Sequence, residues 1–179
     1  MADTSLRVLI DRDTVRQRVA QLAGQVAADY AASPPLVVGV LNGAAQFMMD
    51  LLAHMPEPFA QQVEYDFVSI SSYAGSKSQG QVRLTKDVGV GLAGREVLIV
   101  EGIVDTGLTL EFLLAKFRGR APRSLKVCAL LDKLARRRHP VQIDYLGFTI
   151  EDVFVVGYGM DYDQRYRALN YIGALGEPI

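Results

Sequence analysis

Glu101 and Asp105 are two carboxylates that close an apolar strand, and Thr106 and Thr109 follow them around Gly107. Acids, hydroxyls and a glycine in that order suit a sugar phosphate: carboxylates for hydroxyl groups, backbone and side-chain donors for phosphate oxygens. The run Val97-Leu98-Ile99-Val100 is branched and apolar without alternation, as expected of a strand buried on both faces of a parallel sheet. Past Asp105, Thr106-Gly107-Leu108-Thr109 leads into a helix predicted over 110–117. A helix start of this kind holds phosphate through its unpaired N–H groups and its dipole. No Gly-x-x-x-x-Gly-Lys-Ser/Thr occurs, so the phosphate that fits here is a monoester. The same residues also describe a buried strand and an ordinary Thr-capped helix. Carboxylates at the carboxyl end of a strand, where open parallel sheets bind ligands, favour the chemical reading.

The elements that must position these groups alternate along the chain. Val15, Val19, Leu22 and Val26 recur at helical spacing, and Pro34-Pro35 stops that helix. Residues 36–41 read as a buried strand, followed by a Gly-containing turn and a helix over 45–54. A strand over 63–71, a polar loop over 74–81, and strands over 97–103, 124–131 and 153–157 complete the pattern. This βαβ alternation predicts an α/β fold with a mostly parallel sheet.

Composition bounds the rest. A chain of 179 residues is expected to form one domain over 1–179, large enough to bury about 70% of its unfolded surface. A net charge of −1 provides no field for nucleic acid or an anionic membrane. The single cysteine, Cys128, lies in an apolar run and reads as a core thiol, so no internal disulfide can form. No apolar run approaches the ~20 residues of a spanning helix and no signal segment opens the chain, so a soluble cytoplasmic protein is expected.

Three features are set aside. Gly89-Val90-Gly91-Leu92-Ala93-Gly94 satisfies Gly-x-Gly-x-x-Gly, but it precedes a strand where a dinucleotide fingerprint follows one, so it reads as a connecting turn. His54 and His139 are isolated, and with one cysteine they give no zinc site. Arg136-Arg137-Arg138 reads as a solvated turn.

Several separated segments together carry a resemblance: Leu41-Asn42-Gly43-Ala44, Ser71-Ser72-Tyr73, Glu101 to Thr109, Leu131-Asp132-Lys133, Phe154 to Tyr158, Asp161-Tyr162 and Arg167. Spread over residues 36–175, they resemble the motifs of type I phosphoribosyltransferases, most closely the hypoxanthine-guanine phosphoribosyltransferases. The resemblance implies a mostly parallel twisted sheet flanked by helices, with a small hood formed by the chain ends. It implies transfer of 5-phosphoribosyl from phosphoribosyl pyrophosphate (PRPP) to a purine nitrogen through an oxocarbenium-like transition state.

Each position then acquires an implied role. Thr106, Gly107, Leu108 and Thr109 would cradle the 5′-phosphate. Asp105 would take the N7 proton of the incoming base, a contribution typically worth ~10²- to 10⁴-fold; as an ordinary residue it would cap the helix. Glu101 would bind the ribose hydroxyls and organise magnesium, and Gly102 stands where the family has a second acid. Lys133 would donate to a purine 6-oxo group, although it also begins a basic surface stretch. Phe154 would stack on the purine and Val155 would read its edge, although a Phe in Val-Phe-Val-Val also suits a core. Asn42, Gly43, Ala44, Ser72, Tyr73 and Arg167 would hold pyrophosphate, with Asp161 on a second magnesium. Residues 74–81 would close over the site, a composition that equally describes an idle loop.

The implied protein is a magnesium-dependent salvage enzyme acting on hypoxanthine and guanine, with PRPP and a 6-oxopurine as partners and a homodimer or homotetramer as its assembly. Two other readings stay open on the sequence. One is a non-catalytic PRPP or nucleotide sensor that binds RNA or protein, for which Gly102 and Asn42 speak; the other is a xanthine-preferring enzyme.

Overall fold

The computed structural model describes residues 5–72 and 82–176. The apolar run at 97–100 lies in the centre of a six-stranded sheet. In chain order the first elements are β1 (Leu6–Ile10), α1 (Arg12–Asp29), β2 (Leu36–Leu41), α2 (Ala45–Ala53), the single turn α3 (Glu57–Ala60) and β3 (Glu64–Ser72). They are followed by β4 (Val82–Lys86), β5 (Glu96–Val104), α4 (Leu108–Arg118) and β6 (Ser124–Asp132). A 3₁₀ turn (Leu134–Arg136), β7 (Tyr145–Thr149), β8 (Phe154–Val156) and β9 (Ile172–Leu175) complete the order. The large sheet runs β4-β3-β2-β5-β6-β7, parallel except for the antiparallel edge strand β4.

Both faces of this sheet are covered, which explains why its strands do not alternate in polarity. Leu98 and Val100 of β5 pack with Val15, Val19, Leu22 and Val26 of α1 and Phe47 and Leu51 of α2. Val97 and Ile99, pointing the other way, pack with Leu110, Leu113, Leu114 and Phe117 of α4, an i, i+3, i+4, i+7 stripe. Helix α1 begins where Asp11 accepts from the N–H groups of Asp13 and Thr14, each at 3.0 Å. Cys128 is buried in the first of these clusters, and burial pushes its thiol up.

A second sheet, β1-β9-β8, is antiparallel and joins the two ends of the chain to the strand carrying Phe154. This is the expected hood. The glycine run 89–94 is the connection between β4 and β5, and Gly94 donates to the Ala121 carbonyl at 2.9 Å. Among the described residues no helix is long and apolar enough to cross a membrane.

Strand order fixes where a ligand can enter. From the centre, the chain leaves β2 toward β3 on one side, whereas β5 leads to β6 and β7 on the other. The crevice between the carboxyl ends of β2 and β5 is therefore the topological switch point, the usual ligand position in open parallel sheets. Asn42 and Gly43 follow β2 there, and Asp105 follows β5.

Candidate active site

A cavity of about 940 Å³ opens at this switch point. Asn42, Gly43, Asp105 and Lys133 line it from the large sheet, and Phe154, Val155, Asp161 and Arg167 line it from the hood side. A smaller cavity of about 220 Å³ lies beside it and is lined by Glu101 and Thr109, with Gly43 and Ile103 common to both. The structure thus gathers residues from six separated segments.

Asp105 lies just past β5 and does not cap the following helix. Gly107 is the cap residue, at φ 90°, and has no side chain to bond the helix start. Glycine is required at 107 because a Cβ would stand 2.4 Å from the His139 carbonyl oxygen as well as in the left-handed region. The helix begins at Leu108, two residues before its expected start, so Thr109 already lies in its first turn. The N–H groups of Gly107 and Thr109 find no acceptor among the described residues, while that of Leu108 reaches Thr106 Oγ1 at 3.4 Å. These free donors are what an anion at a helix start uses.

The Asp105 carboxyl has one unusual oxygen. Oδ1 is buried and receives no hydrogen bond among the described residues. Arg136 Nε stands 2.8 Å away but off the hydrogen-bonding line, so the two form an ion pair only. An orphaned acceptor is costly inside a protein and calls for a functional or ligand-bound explanation.

Lys133 follows β6, where its N–H donates to the Val104 carbonyl at 3.0 Å. It is only 6% exposed, so it is not part of a basic surface. Its Nζ has one distant ionic neighbour, Asp152 at 3.9 Å. Phe154 is 51% exposed and meets Tyr162 edge-on at 5.6 Å, so it is a platform open to the cavity and not a core residue. Val155 is buried behind it and pairs with Ala174. Asp161 pairs with Arg167 at 2.8 Å, and Arg167 also donates to the Gly159 carbonyl at 2.7 Å.

Glu101 is buried, and it forms no ion pair among the described residues. Desolvation pushes its carboxyl up to about 8, although it accepts the Gly102 N–H at 2.9 Å. Beside it, Gly102 has a steric cause: a Cβ there would stand 2.7 Å from the Gly43 carbonyl oxygen.

One expectation changes and one is extended. Ala44 is fully buried and its N–H donates to the Val40 carbonyl at 3.1 Å, so of the segment after β2 only Asn42 and Gly43 face the cavity. The arginine run is a turn with Arg136 and Arg138 exposed, as expected, but it also has a structural part. Arg136 lines the large cavity, Arg137 forms a buried pair with Asp132, and Arg138 and His139 donate their N–H groups to the Thr106 carbonyl at 3.0 and 2.9 Å. Arg137 Nε also donates to the Asp105 carbonyl at 3.3 Å, so the run buttresses the phosphate turn from behind. Asp152, which also lines the cavity, carries no sequence motif that would single it out. Ser72 ends β3; Tyr73 and residues 74–81 lie outside the described residues.

The acids suit a metal that arrives with its substrate. Magnesium takes one or two carboxylates and completes its shell with water and substrate phosphates. Asp161 faces one cavity and Glu101 the other, and no group of three or more ligating side chains gathers among the described residues.

The sequence matches the family model described as a phosphoribosyl transferase domain over residues 11–163. It is 42% identical over 170 residues to the hypoxanthine-guanine phosphoribosyltransferase of Bacillus subtilis, spanning 94% of this chain and 92% of that protein. It is 41% identical over 180 residues to the hypoxanthine-guanine-xanthine phosphoribosyltransferase of Tritrichomonas foetus, spanning 100% of this chain and 96% of that one. A crystal structure of a hypoxanthine-guanine phosphoribosyltransferase from Bacillus anthracis aligns with a TM-score of 0.89 at 38% identity, covering 97% of this chain and all of that one.

Proposed function

The chain belongs to the phosphoribosyl transferase family, and from that premise we propose that it transfers 5-phosphoribosyl from PRPP to hypoxanthine and guanine, giving IMP or GMP and pyrophosphate. It is a purine-salvage glycosyltransferase. The observation that carries the assignment of roles is the convergence of the Asp105 carboxylate, Lys133 and the open ring of Phe154 on one cavity.

Phe154 stacks on the purine, and the Lys133 ammonium, which has donors only, selects a 6-oxo group over the 6-amino group of adenine. Asp105 accepts the N7 proton as bond formation acidifies it. Thr106 to Thr109 hold the 5′-phosphate by free N–H groups and hydroxyls, and Glu101 accepts from the ribose. Asn42, Gly43 and Arg167 face the departing pyrophosphate. Ser72 and Tyr73 complete that side in the resemblance. Magnesium, when bound, would offset the pyrophosphate charge, with Glu101 organising one ion and Asp161 holding a second. Residues 1–179 act as one domain, in the cytoplasm, and assemble as a homodimer or homotetramer. A sensor of nucleotides would have no use for an open proton acceptor beside a 6-oxo donor.

The test is turnover of hypoxanthine, guanine, xanthine and adenine with PRPP and magnesium. Turnover of 6-oxopurines and not adenine is expected; absence of turnover with any base would end the reading. Because the name of the Tritrichomonas relative includes xanthine, that base separates a broad enzyme from a narrow one.

Gly102 yields a further expectation. Gly102→Asp brings back an acid at this position, yet its Cβ must displace the Gly43 backbone, a close contact that cannot be relieved by a side-chain rotation. Overpacking of this kind costs about 1–3 kcal/mol. The variant is expected to unfold at lower temperature and to show a PRPP KM no lower than that of the parent. A lower KM would mean that the glycine is a simple loss of a ribose ligand.

A further inference from the structure

Four charged side chains in the large cavity form one row of alternating sign. Asp105 Oδ1 lies 2.8 Å from Arg136 Nε, Arg136 Nη1 lies 3.5 Å from Asp152 Oδ1, and the same Asp152 oxygen lies 3.9 Å from Lys133 Nζ. The row crosses three parts of the fold: the end of β5, the turn after β6, and the segment leading into β8. Its two ends are the groups that the proposed function assigns to the purine. We propose that Arg136 and Asp152 are positioning residues that hold the proton acceptor Asp105 and the oxo-reading Lys133 at a fixed mutual spacing, so that one purine edge is read and deprotonated together. This inference rests on the reading of the site given above.

The physical argument starts from the purine. Its N7 and 6-oxo groups occupy adjacent positions on one edge, so an acceptor and a donor must be presented side by side. The backbones beneath them are already fixed, since Val104 pairs with Asp132 and Lys133 N–H bonds the Val104 carbonyl. The side chains are not fixed by that pairing: each turns about its own bonds, and Lys133 has four carbons between backbone and charge. Arg136 supplies a planar fork with donors in fixed directions. One arm faces Asp105 and another faces Asp152, whose carboxylate stands between two cations that would otherwise repel. Arg136 stands over the buried Oδ1, so it restrains the carboxyl through that oxygen, while the side chain as a whole stays 41% exposed and keeps its other oxygen for a proton.

A row has a consequence that a set of separate contacts does not. Cutting it at either inner position breaks the link between the two ends, and a second cut adds little. Misplacing a reacting group by about 1 Å can cost on the order of 10²-fold. Arg136→Gln and Asp152→Asn are each expected to lower kcat/KM for hypoxanthine by about 10- to 100-fold. The PRPP KM stays within about twofold, because neither residue lines the smaller cavity that holds Glu101 and Thr109. The double variant is expected to be no more than about threefold worse than the weaker single variant, the signature of strong coupling in a double-mutant cycle. Arg136→Lys keeps the charge without the fork and should recover only part of the loss.

The experiment is steady-state kinetics on the parent, these four variants and thermal melts of each. Single variants within threefold of the parent would overturn the proposal, as would losses that multiply in the double variant or that follow the melting temperature or the PRPP KM. A large loss in Arg136→Gln with none in Asp152→Asn would also overturn it, by making Arg136 a direct ligand of substrate. Failure of the parent itself on every base is a different outcome, since it removes the assigned function on which the row depends.

Discussion

Asp105→Asn is expected to lower kcat for hypoxanthine by about 10²- to 10⁴-fold with little change in stability. Asn matches Asp in size and keeps an oxygen acceptor, but it cannot take up a proton at the moment N7 is acidified. The fold has small stake in the carboxylate, because Gly107 and not Asp105 caps α4, and because Arg137 holds Asp105 through its backbone carbonyl. The ion pair to Arg136 joins two half-exposed side chains, so its removal costs at most about 1 kcal/mol. The measurement is kcat at saturating PRPP together with a thermal melt. A kcat within threefold of the parent would remove Asp105 from proton transfer; a large fall in melting temperature would show instead that the carboxylate supports the fold.

Glu101→Gln should act in the opposite sense on stability. The folded carboxyl is pushed up to about 8 from an ordinary value of 4.5, so the folded state holds a proton that the unfolded state has released. Stability is then full below about pH 4.5 and falls as pH rises toward 8, by at most about 1.4 kcal/mol per pH unit. Gln is neutral throughout and still accepts the Gly102 N–H. The variant is expected to match the parent near pH 4.5 and to exceed it by several kcal/mol above pH 8 in urea unfolding. Function should move the other way above about pH 8, where Glu101 is charged: a ribose hydroxyl that loses a charged acceptor costs roughly 1.5 to 3 kcal/mol, or tenfold to a hundredfold in PRPP affinity. A buried acid whose desolvation costs stability is in keeping with a group kept for a ligand. Parallel pH profiles for parent and variant would show that Glu101 is solvated in the folded protein.

What could be read in the sequence has a common character: it lies within one strand, one turn or one helix. Residues 97–110 were legible as strand, acidic turn and helix because an unbroken apolar run, a glycine and a 3.6-residue stripe each act over a few neighbours. The central strands β2, β3, β5 and β6 were legible for the same reason. Strands β1, β4, β7 and β9 were not, because they are short or carry charges and glycines, such as Val82-Arg83-Leu84-Thr85-Lys86 and Ile172-Gly173-Ala174-Leu175, and are strands only by virtue of their partners.

The site divides along the same line. That Glu101, Asp105, Lys133 and Phe154 could do chemistry followed from residue type, motif order and a family resemblance that spans most of the chain. That Lys133 is buried and Phe154 open, that the Ala44 N–H is already committed, that Gly102 faces the Gly43 carbonyl, and that Arg136 and Asp152 join the two ends of the site were decided only in three dimensions. The Ala44 bond reaches back only to Val40, whereas the Gly102–Gly43 contact joins positions 59 residues apart and the Arg136–Asp152 pair positions 16 apart. Chemical capacity belongs to the side chain and is written locally, whereas burial, clearance and ionic pairing belong to the space between elements and exist only once the switch point between β2 and β5 has brought them together.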